Sequence, residues 1–237
     1  MPLRRVAIPS PNYSSRGGAT VTTIVLHTAE GATTYQSLGA FFANPASGVS
    51  SHVGIDDTPG TVGEYVPRTG KAWTAANANP WAVQAELCAF ASWTPAQWQA
   101  HPTMLANTAA WIAEEAQAFA IPIRALSAAD AQNPNVRGCC QHADLGAMGG
   151  GHWDCGPNFP YQQVLSMAAG GAGPIPPPPE EPEMVIVRNP RGACCLLDGS
   201  GKKLPIVDQA SLQSYVAAGL KTVNLTDTDF NNIPNAF

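Results

Sequence analysis

One stretch of this 237-residue chain gathers side chains that bind metals and move protons. Residues 141–159 hold His142, His152, Asp154 and Cys155 within 14 positions, around the run Gly149-Gly150-Gly151. A catalytic zinc typically takes three protein ligands, drawn from His, carboxylate and Cys, and keeps a fourth position for water. His27 ends the apolar run 22–26 and, with two ligands from residues 141–159, would complete such a set. Spacing of this kind also arises without a metal, so the residues alone leave a zinc site and an ordinary polar loop both open. Glu86 is the candidate proton carrier. A carboxylate flanked by Ala85, Leu87 and Cys88 is badly placed for a surface strand. Partial burial would raise its pKa toward the range of a general base. The plainer alternative is an exposed or capped Glu at a strand edge.

These residues need elements to position them. Residues 22–26 read as a buried strand. Residues 49–55 alternate, with Val49, Val53 and Ile55 on one face and Ser50 and His52 on the other. The turn signal 56–60 and the run 61–66 then complete a hairpin. In 82–90, Val83, Ala85 and Leu87 face one way, and Gln84, Glu86 and Cys88 the other. Thr94, Pro95 and Gln97 make a helix start with Thr at the N-cap and Gln at the third position. Pro102 breaks or restarts that helix. Met104, Leu105, Thr108, Trp111, Ile112 and Phe119 follow at helical spacing. Residues 35–42 and 161–168 are shorter helices. Strands mixed with helices predict an α/β fold with a mixed central β-sheet flanked by helices.

The organisation is bipartite. Residues 169–183 are Gly-rich, then Pro-rich, and read as a linker that cannot pack a core. They separate a large domain, 1–168, from a small C-terminal α+β domain, 184–237. The latter reads as strands at its start and at 202–206, a helix over 210–218, a strand over 222–225 and a final helical turn from Asp227. Hydrophobic residues make up 45% of the chain, enough for a core, and the net charge of −5 argues against a dedicated nucleic-acid binder. No stretch approaches about 20 apolar residues, so no membrane insertion is expected. Six cysteines without a C-x-x-C pair suit neither a disulfide framework nor a Cys-rich zinc site. Cys88, Cys194 and Cys195 read as buried free thiols. His101, beside Pro102, reads as an ordinary surface residue.

Several motifs in order now carry a resemblance. They are His27 closing its strand, Ser50-Ser51-His52-Val53-Gly54-Ile55-Asp56, Ala72-Trp73, Ala85-Glu86-Leu87, Thr94-Pro95-Ala96-Gln97, and His142 followed by Asp154-Cys155-Gly156-Pro157-Asn158-Phe159. Over about residues 20–168 the chain resembles the zinc-dependent type-2 N-acetylmuramoyl-L-alanine amidases, which share a fold with T7 lysozyme and the peptidoglycan recognition proteins. The resemblance implies Zn2+ held by His27, His142 and a third ligand. The family's third ligand is an Asp or Cys near Pro-Gly. In this sequence the order Asp154-Cys155-Gly156-Pro157 departs from that form; the family's Asp-Pro-Gly-Pro-x-Phe pattern matches residues 154–159 in register and favours Asp154, whereas its Cys-Pro-Gly pattern would point to Cys155 as the alternative. The family often carries a Lys two positions before this ligand; His152 stands there before Asp154. Glu86 matches the Glu that acts on the water. His52 matches a His that is structural or lines the substrate site. Trp73, Asn77, Asn79 and Trp81 fall where the family lines its cleft, a core or turn role being the alternative for each.

The implied activity is hydrolysis of the amide between N-acetylmuramic acid and L-alanine of host peptidoglycan. The linker and small second domain look like a bacteriophage endolysin that lyses its host, and the Ala, Pro and Gly content would suit an actinobacterial, mycobacterial host. The small domain is read as cell-wall binding, with a passive folding or oligomerisation module as the alternative. Residues 1–11 lack the apolar run of a signal peptide. The expectation is a protein of the host cytoplasm that reaches the wall after release by a separate holin. Two alternatives use the same residues: a non-catalytic peptidoglycan-binding module, and a virion-associated hydrolase used at entry.

Overall fold

The computed structural model describes residues 2–170, 185–197, 203–206, 212–213, 216 and 222–234. It divides into two units, residues 1–176 and 177–237. In the first, a six-stranded mixed sheet runs in the order β1-β5-β4-β7-β3-β8. These strands are β1 Arg4–Ala7, β3 Thr23–Thr28, β4 Val53–Ile55, β5 Thr61–Glu64, β7 Ala82–Leu87 and β8 Gly138–Gln141. The short strands β2 Tyr13–Ser15 and β6 Gly70–Ala72 pair antiparallel as a separate ribbon. Only β4 and β5 pair antiparallel within the main sheet, as the expected hairpin; β3, β4, β7 and β8 run parallel. Helices α1 Tyr35–Ala43, α2 Pro95–Gln99, α3 Pro102–Phe119, α4 Ala128–Ala131 and α5 Tyr161–Ala168 surround it.

β3 is buried along its whole length because both faces of the sheet are covered. Alternation then sorts its side chains. Ile24 and Leu26, with Val83, Ala85 and Leu87 of β7, join a core with Met104, Leu105, Trp111 and Ile112 of α3 and Val164 and Leu165 of α5. On the other face Val25, Ala82 and Cys140 pack with Ala75, Ala78, Leu126, Ala131 and Leu145. His27, Gln84 and Glu86 belong to this second face by their register, His27 lying directly opposite Glu86. Cys88 departs from the expected alternation. β7 ends at Leu87, and Cys88 beyond it turns into the α3 core.

The α2 start is built as its sequence implies. Thr94 Oγ1 accepts the Gln97 N–H, and Gln97 Oε1 accepts the Thr94 N–H, a reciprocal cap. α3 restarts at Pro102. His101 between them is half-exposed, pairs with Asp57 and stacks on Trp93 at 4.4 Å between ring centres. β1 and β2 were not expected from the sequence. β1 is held less by apolar packing than by charge: Arg5 donates to Glu64 at 3.2 Å and to Glu114 and Glu115 of α3 at 2.8 Å each.

In the second unit a four-stranded sheet runs β11-β10-β9-β12, with β9 Val185–Arg188, β10 Cys194–Leu197, β11 Lys203–Pro205 and β12 Thr222–Asn224. A short helix, α6 Asp227–Asn232, is capped by Thr226 and buries Phe230, over which Lys203 Nζ lies 5.1 Å from the ring centre. Cys194 and Cys195 are half-exposed, not buried as expected, because a strand of this small sheet has less to pack against. The expected helix over 210–218 lies largely outside the described residues, as does the expected linker beyond Gly170.

Glu115 is 1% exposed and shared by Arg5 and Arg68. Stripping one partner from a buried carboxylate costs about 3 kcal/mol. Arg5→Leu is therefore expected to lower the urea unfolding free energy by about that amount; a loss under about 1 kcal/mol would mean that Arg68 alone neutralises Glu115.

Candidate metal centre and active site

The site forms where parallel strands end, the usual place for ligands in open α/β sheets. His27 is the fifth residue of β3, Glu86 the fifth of β7, and His142 the first residue after β8. Asp154 arrives from the loop before α5. That loop docks on the chain beyond β7, where Gly156 has φ +89° and a Cβ there would run into the Ala91 carbonyl. Glycine is required at this position on both counts.

His27, His142 and Asp154 are all buried, and one ligand atom of each lies within 4.8 Å of the others. His27 Nδ1 and His142 Nδ1 are 2.9 Å apart. Asp154 Oδ1 is 3.1 Å from His142 Nδ1, and Oδ2 is 3.5 Å from His27 Nδ1. Behind this cluster, His142 Nε2 donates to the Gly149 carbonyl at 2.9 Å, and His27 Nε2 lies 3.0 Å from Gln84 Oε1. A carbonyl only accepts, so neutral His142 carries its proton on Nε2 and presents a bare Nδ1 lone pair to the cluster. Two imidazole nitrogens and a carboxylate converging in a buried site match the donor set of a divalent metal. The residues fit such an ion.

Charge states agree with that reading. Burial lowers the His27 pKa to about 4 against the opposing influence of Asp154, so the ring is neutral. Burial alone would raise Asp154, but the His142 and His27 imidazoles beside it act the other way and the carboxylate is held below its usual range. The Thr28 N–H also donates to Asp154 Oδ2 at 3.3 Å. Glu86 is half-buried and faces the cleft; burial, then the charges of Asp154 and Glu30, push it up to about 8.

The cleft above has a volume of about 720 Å³. One wall is α1 with Leu38, Phe41 and Phe42; the other carries Trp73, Thr74 and His152. His152 is 60% exposed, stacks on His142 at 4.4 Å and 10°, and has Nδ1 3.9 Å from Asp154 Oδ1. Cys155 lies in the apolar core, its thiol pushed up by burial, while its neighbour Asp154 joins the histidines.

His52, Asn77 and Asn79 do not line this cleft. His52 is buried against the ribbon: its Nδ1 accepts the Gln84 N–H at 3.1 Å, and Nε2 is 3.1 Å from the Gly70 carbonyl and 2.9 Å from Arg16 Nη2. Burial and the Arg16 charge lower it to about 3. Asn77 is exposed on the 3-10 helix Ala76–Trp81, outside the lining. Asn79, on the same helix, turns inward and accepts three N–H groups on Oδ1. Trp81 packs against the second core. Sequence reading missed Glu30. It follows β3 at the cleft, with φ 55° and a carboxylate accepting from Thr28 Oγ1 at 2.5 Å and Ala91 N–H at 2.7 Å. Its place just after a parallel strand was the available signal.

A model of one protein family, described as N-acetylmuramoyl-L-alanine amidase, matches residues 17–157. The chain belongs to that family. Its members are peptidoglycan hydrolases and are typically metal-dependent, and His27, His142 and Asp154 give this chain a site for such an ion. Among solved structures, the hydrolase AmiA of Staphylococcus aureus, determined with its ligand, is 17% identical with a TM-score of 0.53, over 73% of this chain and 88% of AmiA. The endolysin LysCS of Clostridium intestinale, an N-acetylmuramoyl-L-alanine amidase, is 16% identical with a TM-score of 0.51, over 71% and 97%. At these identities the likeness establishes the fold. No curated protein sequence matches the chain. No helix among the described residues is long and apolar enough to cross a membrane.

Two of these shifted groups, Glu86 and His27, give metal-free protein a distinct pH profile near neutrality. Glu86 is raised from 4.5 to about 8, so its stabilising effect is full below 4.5 and is lost as pH rises through 8. His27 is lowered from 6.5 to about 4, so its effect is full above 6.5 and is lost as pH falls through 4. Of these two, the Glu86 effect alone operates between pH 6.5 and 8. The melting midpoint of chelator-treated protein should fall across that window, and Glu86→Gln should flatten the fall; equal slopes in both proteins would remove Glu86 as its source.

Proposed function

We propose that the chain is a zinc-dependent amidase that cleaves the bond between the lactyl group of N-acetylmuramic acid and L-alanine. The observation that carries this reading is the buried convergence of His27, His142 and Asp154 beside Glu86 on the floor of an open cleft. Zinc, when held by those three side chains, supplies a Lewis acid for the scissile carbonyl and lowers the pKa of water.

The remaining work belongs to the chain. Glu86 takes a proton from the attacking water and returns it to the leaving nitrogen, so that acid and amine products balance. Its half-buried setting, opposite His27 in register, supports both transfers. His152 is the one exposed imidazole stacked on this cluster, and once protonated it donates to the carbonyl oxygen as charge develops there. Trp73, Phe41 and Val49 are exposed on the cleft and offer flat or apolar faces to sugar and peptide.

The biological setting follows from the sequence pattern. An amidase unit, a Gly- and Pro-rich segment and a small second unit suit a bacteriophage endolysin of an actinobacterial host. It acts on the host wall after release through a holin, with the second unit holding the wall.

The test pairs metal analysis with product analysis on purified peptidoglycan. Wild type should bind about one zinc and free new L-alanine amino termini. His142→Ala should lose zinc and turnover together. Glu86→Ala should keep zinc and lose turnover by at least about 100-fold, and His152→Ala should lose about 100-fold. Wild type that holds the wall yet frees no alanine terminus would overturn the enzyme reading in favour of a binding module.

A further inference from the structure

The reading of His27 as a zinc ligand raises a question of orientation. Its ring has two nitrogens, and only one tautomer leaves Nδ1 bare toward His142 and Asp154. The answer begins at two backbone groups. Thr74 N–H and Ala75 N–H point at the same atom of Asn79, 3.1 and 2.6 Å away. Backbone N–H groups can only donate, so that atom is the carbonyl oxygen of Asn79, not its amide nitrogen. The same oxygen lies 3.0 Å from the Gln84 side-chain amide, which must therefore present its NH2 there. Gln84 Oε1 is then fixed toward His27 Nε2, 3.0 Å away. A carbonyl oxygen accepts only, so the His27 proton sits on Nε2 and Nδ1 is bare.

The surroundings lock this chain in place. Gln84 is fully buried, and its backbone N–H donates to His52 Nδ1. Arg16 Nη1 donates to the carbonyls of Asn79, Pro80 and Ala82 at 2.9–3.2 Å, pinning the turn that carries Asn79. His142 receives the same service from a backbone carbonyl, Gly149, which no side-chain substitution removes. The His27 arm instead runs through two side-chain amides. We propose that Gln84 and Asn79 are positioning residues that set the His27 tautomer and through it the affinity for zinc. The affinity part rests on the zinc reading above; the tautomer part does not.

The experiment reads both parts. In 15N-labelled, metal-free wild type at neutral pH, long-range proton–nitrogen correlation should find His27 protonated on Nε2 alone. A His27 protonated on Nδ1 overturns the proposal, and this measurement needs no variant to fold. Gln84→Met keeps the shape and removes the acceptor. It should give a mixed His27 tautomer and bind zinc about 10- to 100-fold more weakly in chelator competition. Asn79→Leu should weaken zinc in the same direction and Asn79→Asp, which keeps the oxygen, should restore it. Folded Gln84→Met with wild-type zinc affinity and an unchanged tautomer also overturns the proposal. Failure of the zinc reading looks different: wild type itself then binds no zinc, while the tautomer result still decides the amide chain.

Discussion

Three hydrogen-bond acceptors are forced together in a buried place, and the site is organised around that fact. His142 Nδ1, His27 Nδ1 and the Asp154 carboxylate meet with their lone pairs toward one another. Each is satisfied from behind, by Gly149 O, Gln84 Oε1 and the Thr28 N–H. The front of the cluster has no proton to share if both rings are neutral. Buried polar groups left in that condition cost free energy, and buried charge costs more. A cation removes the conflict, which is the physical sense in which these residues describe a metal centre.

The fold makes this arrangement attainable. A strand covered on both faces has no place for a solvated His, so a polar side chain in β3 must find partners inside the protein. The parallel register supplies them. β7 lies on one side of β3 and puts Gln84 and Glu86 on the face that carries His27; β8 lies on the other and releases His142 at its end. The opposite face stays apolar against α3 and α5. Chemistry and core are thus separated by nothing more than the two-residue alternation of a strand.

That alternation is why so much was legible in the sequence. β3, the β4–β5 hairpin, β7, the reciprocal cap of α2 and the restart at Pro102 all announce themselves through local pattern. What escaped depends on distant partners. β1 is too short and polar to read as a strand, because its place is fixed by Arg5 reaching Glu114 and Glu115 across the fold. Asn79 carries a side chain that suits a cleft, yet it turns inward to serve Gln84, a residue with no signature of its own; His52 takes the structural one of its two readings beside it. Glu30 matters through a loop conformation that local propensity does not favour. Cys88 fails the alternation only because the strand stops one residue before it.

Asp154 and Cys155 show how a single step along the chain divides roles. The carboxylate joins the histidines; the thiol beside it is buried among apolar side chains that disfavour a thiolate. Asp154 and Glu86 divide roles in another way. Both are carboxylates at the same cleft, and their surroundings push their pKa values apart. Asp154, which accepts the Thr28 N–H, stays ionised and available to a cation. Burial beside Asp154 and Glu30 makes Glu86 hold a proton more readily, and a bound cation would draw it back toward the ionised form. A carboxylate balanced between these opposing influences can both accept and return a proton near neutral pH, whereas one held permanently ionised cannot. The proposed assignment of ligand and proton carrier therefore rests on the environments the fold builds around two carboxylates.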